Sequence, residues 1–154
     1  DSHIEIELAG TLTYLAVDPN NQLFACGTAN NGTNGRNDVL ITALIYNDLN
    51  GNFIIGWQKN LGSSQNDQGN HVLLTSHGTL LCTGTVQNQQ LNTTDQAIYE
   101  LDFSGNVLNQ KLIGGINNES GIKSIESDDF KVITLSTTVF TNTSMISITK
   151  FSFE

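Results

Sequence analysis

The sequence predicts an all-β protein of three four-stranded repeats, and three observations carry that prediction. A strand, tight turn and returning strand are spelled twice and half-spelled a third time, at Asp38, Asp95 and Met145. The composition is a turn-former's: 14 glycines, one proline and many Asn, Gln, Ser and Thr surround an apolar share of 38%, as short strands joined by frequent turns require. The chain also aligns with itself, and self-similarity at a fixed spacing is the mark of repeat architectures.

The organising hairpin is clearest from Asp95 to Gly115. The copy that runs from Asp38 to Tyr46 is rich in β-branched residues, which favour a pleated, half-buried surface over a helix. Phe103-Ser104-Gly105-Asn106 follows the later copy and Leu49-Asn50-Gly51-Asn52 the earlier, each placing a glycine where the chain must turn back through positive φ. The returning strands are Phe53 to Leu61 and Val107 to Leu112, running into Gly62 and Gly114.

A shift that carries Tyr14 onto His71 also carries Leu23 onto Leu80 and Asp38 onto Asp95. With a small gap, a third copy follows at Ile122 to Ile125, Val132 to Thr137 and Met145 to Phe151. The chain divides into units of about 50 residues, at 11–61, 62–113 and 114–154, within a single domain. The third unit lacks its returning strand. Residues 3–9 supply a candidate, because Ile4, Ile6 and Leu8 alternate with Glu5 and Glu7 as a half-buried strand does, and they precede the first unit as Phe53 to Leu61 precedes the second. An unpaired apolar last strand is an edge that invites pairing, and residues 3–9 are expected to cover it.

Charge and hydropathy exclude whole classes of partner. Six basic against fifteen acidic residues give a net charge of −9, which repels phosphate backbones and anionic lipid, so nucleic acid is not expected as a partner. The longest apolar run, Val39 to Tyr46, is far short of the roughly 20 residues a spanning helix needs, and no membrane insertion is expected. The chain begins at Asp1 without Met, the start expected of a processed, secreted or surface protein. Sequons begin at Asn31, Asn92, Asn118 and Asn142. Cys26 and Cys82 lie in equivalent strands one position out of register. Alternation points their sulfurs to opposite sides, so two free buried thiols are expected rather than a mutual disulfide.

The order Asp95, Ile98, Leu101-Asp102, Gly105-Asn106, Gln110-Lys111, Gly114-Gly115, with Trp57-Gln58-Lys59, Leu61-Gly62 and Asn66-Asp67 in the earlier copy, resembles the repeat of bacterial secreted β-propellers. That blade reads D-x-x-I-x-K-L-D-x-x-G-N-x-x-W-x-K-x-x-G-G-x-x-x-D. The chain departs from it at Ala43 and Glu100 for Lys, Asn109 for Trp and Glu119 for Asp. The resemblance implies propeller-type blades. Three are too few to close a ring, so closure is expected through strand exchange as a homodimer, residues 3–9 of each chain completing the partner's last blade. A β-trefoil closed in cis is the alternative, and an open head-to-tail exchange makes a filament.

Candidate site residues follow the repeat. Asp67 and Glu119 are equivalent and sit with Asn66 and Asn118 in the loops after Gly62 and Gly114, positioned to line an axis or an inter-blade groove. Trp57, the single tryptophan, is a candidate stacking surface for a sugar, against the commoner role of packing. Asp38 and Asp95 stand at strand starts, where a carboxylate orders the preceding loop. Asp48 to Asn52 has the oxygen-rich spelling of a calcium loop, but its twelfth position is Lys59, so it reads as a turn. His3, His71 and His77 lack metal-ligand spacing, and no nucleophile elbow, phosphate loop or dinucleotide fingerprint occurs. No catalytic residue, metal or cofactor is expected. The polar loops Ala29 to Asn37 and Val86 to Thr94 occupy the same place in two units, and repeated loops on a rigid scaffold are where recognition concentrates. The expectation is a non-catalytic binding module, secreted or at the cell surface, that recognises a glycan or extracellular protein. The alternatives are a structural subunit assembling with itself and a glycoside hydrolase-like enzyme using Asp67 or Glu119.

Overall fold

The structure, a computed structural model, describes residues 6–30, 32–49 and 51–153. Among these the chain is all-β and has no helix long and apolar enough to cross a membrane. Eleven strands form three antiparallel sheets. The first holds β1 (Gly10–Val17), β2 (Leu23–Asn30), β3 (Asn37–Asn47) and β4 (Asn52–Leu61); the second β5 (Gln68–Leu74), β6 (Leu80–Asn88), β7 (Thr93–Leu101) and β8 (Val107–Ile113); the third β9 (Asn118–Glu126), β10 (Val132–Val139) and β11 (Ser144–Phe151). In each sheet the strands lie side by side in chain order, as hairpin connections dictate.

Both expected hairpins form, and their turn glycines take the positive φ that a side chain resists, +71° at Gly51 and +84° at Gly105. Asn50 of the first turn lies outside the described residues. Among the described residues the third sheet has three strands, with β11 at its edge. Of the N-terminal strand expected at 3–9, residues 3–5 lie outside the described residues and 6–9 are not in a strand, β1 beginning only at Gly10. Instead the Gly10 N–H donates to the Leu8 carbonyl at 2.8 Å, bending the chain, while the Asn30 N–H donates to the Ala9 carbonyl at 2.9 Å. Residues 8–9 thus serve the end of β2. Among the described residues no strand of one sheet pairs with a strand of another, and the one isolated bridge, parallel between Asn37 and Asn66, joins the start of β3 to the link before β5. A barrel closed by pairing one unit's strands with the next, as the cis-closed trefoil requires, is not what these residues form.

The sheets stack front to back. Phe24, Cys26, Val39 and Ile41 of the first meet Val72, Leu80, Cys82, Ala97 and Tyr99 of the second in the main core, all fully or almost fully buried. The second sheet turns its other face, Leu81 and Ile98, toward Val132, Phe151 and Phe153. Here hydroxyls intrude: Thr83 hydrogen-bonds Ser124, and Thr134 donates to the Gln96 side-chain carbonyl at 3.3 Å. The stacking also revises the reading of the cysteines. Each sulfur does leave its own sheet on the side opposite to the other's, but in a front-to-back stack opposite sides face each other. The two Sγ atoms lie 2.9 Å apart, both thiols free and fully buried.

The first strands of the sheets, β1, β5 and β9, run beside one another and carry matching bulges at Thr13, Asn70 and Ile122. The Thr13 hydroxyl donates across to the Gly69 carbonyl at 3.0 Å, and the Asn70 amide to the Gly121 carbonyl at 2.6 Å. Glycine is required at this approach: a Cβ on Gly69 would lie 2.2 Å from the Gly27 carbonyl oxygen. Alignment by bulge makes Tyr14, His71 and Lys123 equivalent, and they converge. The Tyr14 and His71 rings are 4.1 Å apart between centroids, and Lys123 Nζ sits 5.2 Å from the Tyr14 ring.

Candidate functional site

The β2–β3 and β6–β7 loops and the links between sheets gather at one end of the stack, around a groove of about 540 Å³. Its lining follows the repeat. Thr11, Gln68 and Ser120 come from the starts of β1, β5 and β9; Thr28 and Thr85 from the ends of β2 and β6; Asn37 and Thr94 from the starts of β3 and β7. Every one of these is an uncharged group that both donates and accepts hydrogen bonds. The apolar faces of the same strands are committed to the core, so alternation and strand ends leave the polar residues to the groove.

Asn66 and Asp67 also line this groove. Asp67 is 3% exposed, and its carboxylate accepts the Ser63 N–H, the Ser63 hydroxyl at 2.9 Å and the Gln87 N–H at 2.8 Å. It pins the link between the first two sheets to the end of β6. Asn66 is exposed and holds the bridge to Asn37. Glu119 repeats the bracing pattern more loosely, accepting the Gly115 N–H at 3.3 Å, while the exposed Asn118 accepts the Thr94 N–H at 3.0 Å through its side-chain oxygen. Glu119 and Asn118 therefore flank the groove through Ser120 and Thr94 without lining it. Trp57 stands apart from the other four. Its indole N–H donates to the Phe103 carbonyl at 2.9 Å, past the end of β7 remote from Thr94, and its ring packs over Gly105 and toward Phe24.

Asp38 and Asp95 do order their loops: Asp38 accepts the Asn34 N–H at 2.8 Å, and Asp95 the Asn88 side-chain amide at 2.9 Å. Tyr99, buried between the first two sheets, has its phenol pushed up by burial above all, with the Asp67 charge adding to the effect. Among the described residues no three His, Cys, Asp or Glu side chains come together as metal ligands do. His77 sits in a turn before Gly78, as its spelling suggests, and its Nδ1 lies 3.2 Å from Glu126 Oε1.

Sequence reasoning singled out the loops and their carboxylates and passed over the hydroxyls and amides that line the groove. The repeat alignment held the signal, since Thr11, Gln68 and Ser120 fall in one column and Thr28 and Thr85 in another. A polar residue at a strand end is unremarkable alone; three at equivalent ends, on sheets stacked in parallel order, must share a rim. Fold and groove together define an all-β protein of three stacked antiparallel sheets with an uncharged, hydrogen-bonding cleft at one end. The chain matches no protein-family model and no curated protein.

Proposed function

We infer that this chain is a non-catalytic recognition module whose groove binds a neutral, hydroxyl-rich ligand, a glycan, at the cell surface or outside the cell. The observation that carries the reading is the convergence of repeat-equivalent Thr, Ser, Asn and Gln side chains with no free charge among them. Such a lining matches the alternating donors and acceptors of a sugar and offers nothing to balance a phosphate or an ammonium. Asp67, the one charged residue there, has its carboxylate taken up by three donors, which favours bracing over general acid–base work and argues against a hydrolase. The test is a glycan array followed by calorimetry on the strongest hit. Thr28→Val with Thr85→Val should weaken binding at least about tenfold, since each substitution leaves a ligand hydroxyl unpaired. An array without hits, or a hit indifferent to both substitutions, removes the proposal.

A second reading, self-assembly, is favoured by the outer face of the third sheet. Ile146 and Ile148 are 74% and 72% exposed there, beside Ile125, Ile133 and Leu135. A second copy seated on this face completes the propeller-type ring that the repeat resemblance implies, and continued head-to-tail addition gives a filament.

A further inference from the structure

We propose that Cys26 and Cys82 are a covalent modification site, an intramolecular disulfide that ties the first sheet to the second. The two residues come from strands of the two facing sheets, β2 of the first and β6 of the second, and their sulfurs are 2.9 Å apart, so about 0.9 Å of approach separates contact from the ~2.05 Å bond. The pair lies within the apolar core of Phe24, Val39, Val72 and Leu80, and among the described residues each sulfur's hydrogen-bonding partner is the other. The surroundings fix the pair rather than merely admit it. The Thr13 hydroxyl, on β1 beside Cys26, shares its one hydrogen between the Cys26 carbonyl at 3.1 Å and the Gly69 carbonyl on β5 at 3.0 Å, holding the two sheets in the register that opposes the thiols. Gly69 adjoins the same sulfur: a Cβ there would lie 2.8 Å from Cys26 Sγ, so the missing side chain leaves the sulfur its place.

The chemistry needs an oxidant, and a disulfide-bearing thiol oxidant of an oxidising compartment is the class that fits. One cysteine loses its proton and attacks the oxidant's disulfide, expelling one thiolate and forming a mixed disulfide. The second cysteine, deprotonated in turn, attacks the first cysteine's sulfur and expels the other thiolate. Cys26 and Cys82 are thereby oxidised, the oxidant is reduced to two thiols, and the two protons lost are the two those thiols take up. The hydrogen bond with Cys26 first, and burial second, hold the Cys82 thiol well above its ordinary pKa in the closed stack, so the bond forms as the sheets come together and is then sealed in.

The experiment refolds the full chain from denaturant with oxidised glutathione and, in parallel, with a reductant. The oxidised product should be a monomeric covalent species with no thiol titratable after denaturation. Trypsin, which cuts after Arg36, Lys59 and Lys111, should release peptides 1–36 and 60–111 joined until reduced. Closing so long a loop should raise its Tm above that of the reduced protein by on the order of 10 °C. The variant C26A/C82A, refolded under both conditions, should show no such difference. Two titratable thiols in the oxidised product, glutathione adducts or intermolecular links in place of the internal bond, or a crosslinked form no more stable than the reduced one would each overturn the proposal.

Discussion

His71 is nearly fully buried on β5, packed on Tyr14, with Lys123 the charged group facing it from β9. Burial first, and the Lys123 charge second, bring its pKa down to about 4, so the imidazole is neutral in the fold. The unfolded chain, with an ordinary value near 6.5, binds the extra proton between these two values. Stability contributed by the neutral ring is therefore complete above about pH 6.5 and declines as pH falls toward 4, by about 2 kcal/mol once solvent screening is allowed for. Urea titrations at pH 7 and pH 4.5 should show that loss in the wild type, and His71→Gln should flatten it. Asp67 supplies a second test at this scale. In Asp67→Asn an amide NH₂ replaces an oxygen that now accepts a donor, setting donor against donor beside Ser63 or Gln87, and unfolding should come about 2 kcal/mol more easily by urea titration.

The contact between the second and third sheets differs in kind from that between the first and second. One is a broad apolar core; the other is a small cluster around Leu81, Ile98 and Val132, supplemented by the Thr83–Ser124 and Gln96–Thr134 hydrogen bonds. Apolar burial is the larger stabilising term per area, so β9–β11 should be the part that opens first. Hydrogen exchange should find amides of β10 exchanging roughly 10- to 100-fold faster than those of β3 and β6, and equal protection would refute the ranking. The strands and both tight turns were legible in the sequence, because alternation and a glycine at positive φ are local properties that a repeat spells twice. What local pattern does not hold is how one sheet meets the next. Opposite-facing cysteines were for that reason expected to stay apart and instead touch, and the start of the chain, whose alternation at Ile6 and Leu8 reads as strand, serves the end of β2. The same distinction explains the groove, which is assembled from strand ends of three sheets and has no signature within any one of them.

At the scale of the whole molecule, the repeat shows which surface is unfinished. Ile133 and Leu135 occupy the positions on β10 that Leu81 and Thr83 occupy on β6, and Ile148 that of Ile98 on β7. In the second sheet those positions are buried by the next sheet; in the third they carry a bare apolar face with Ile125, Ile146 and Ile148. The face that such a surface meets within the chain is the one that presents Val72 and Leu74, and its equivalents on β1, Leu15 and Val17, are 54% and 56% exposed. If the proposed self-assembly holds, a second copy carries the complement, and a two-fold arrangement would satisfy both faces at once. Burying the two exposed isoleucines is worth roughly 2 kcal/mol each, so Ile146→Lys with Ile148→Lys should weaken self-association about 100-fold or more. Its unfolding, concerning residues already in solvent, should shift by no more than about 0.5 kcal/mol in the monomer. Light scattering across a concentration series is the measurement. A dimer that the double variant dissociates supports this face. A species that survives the double variant but falls apart on deletion of residues 1–8 assigns the contact to strand exchange instead, and a wild type monomeric at every concentration rules out both.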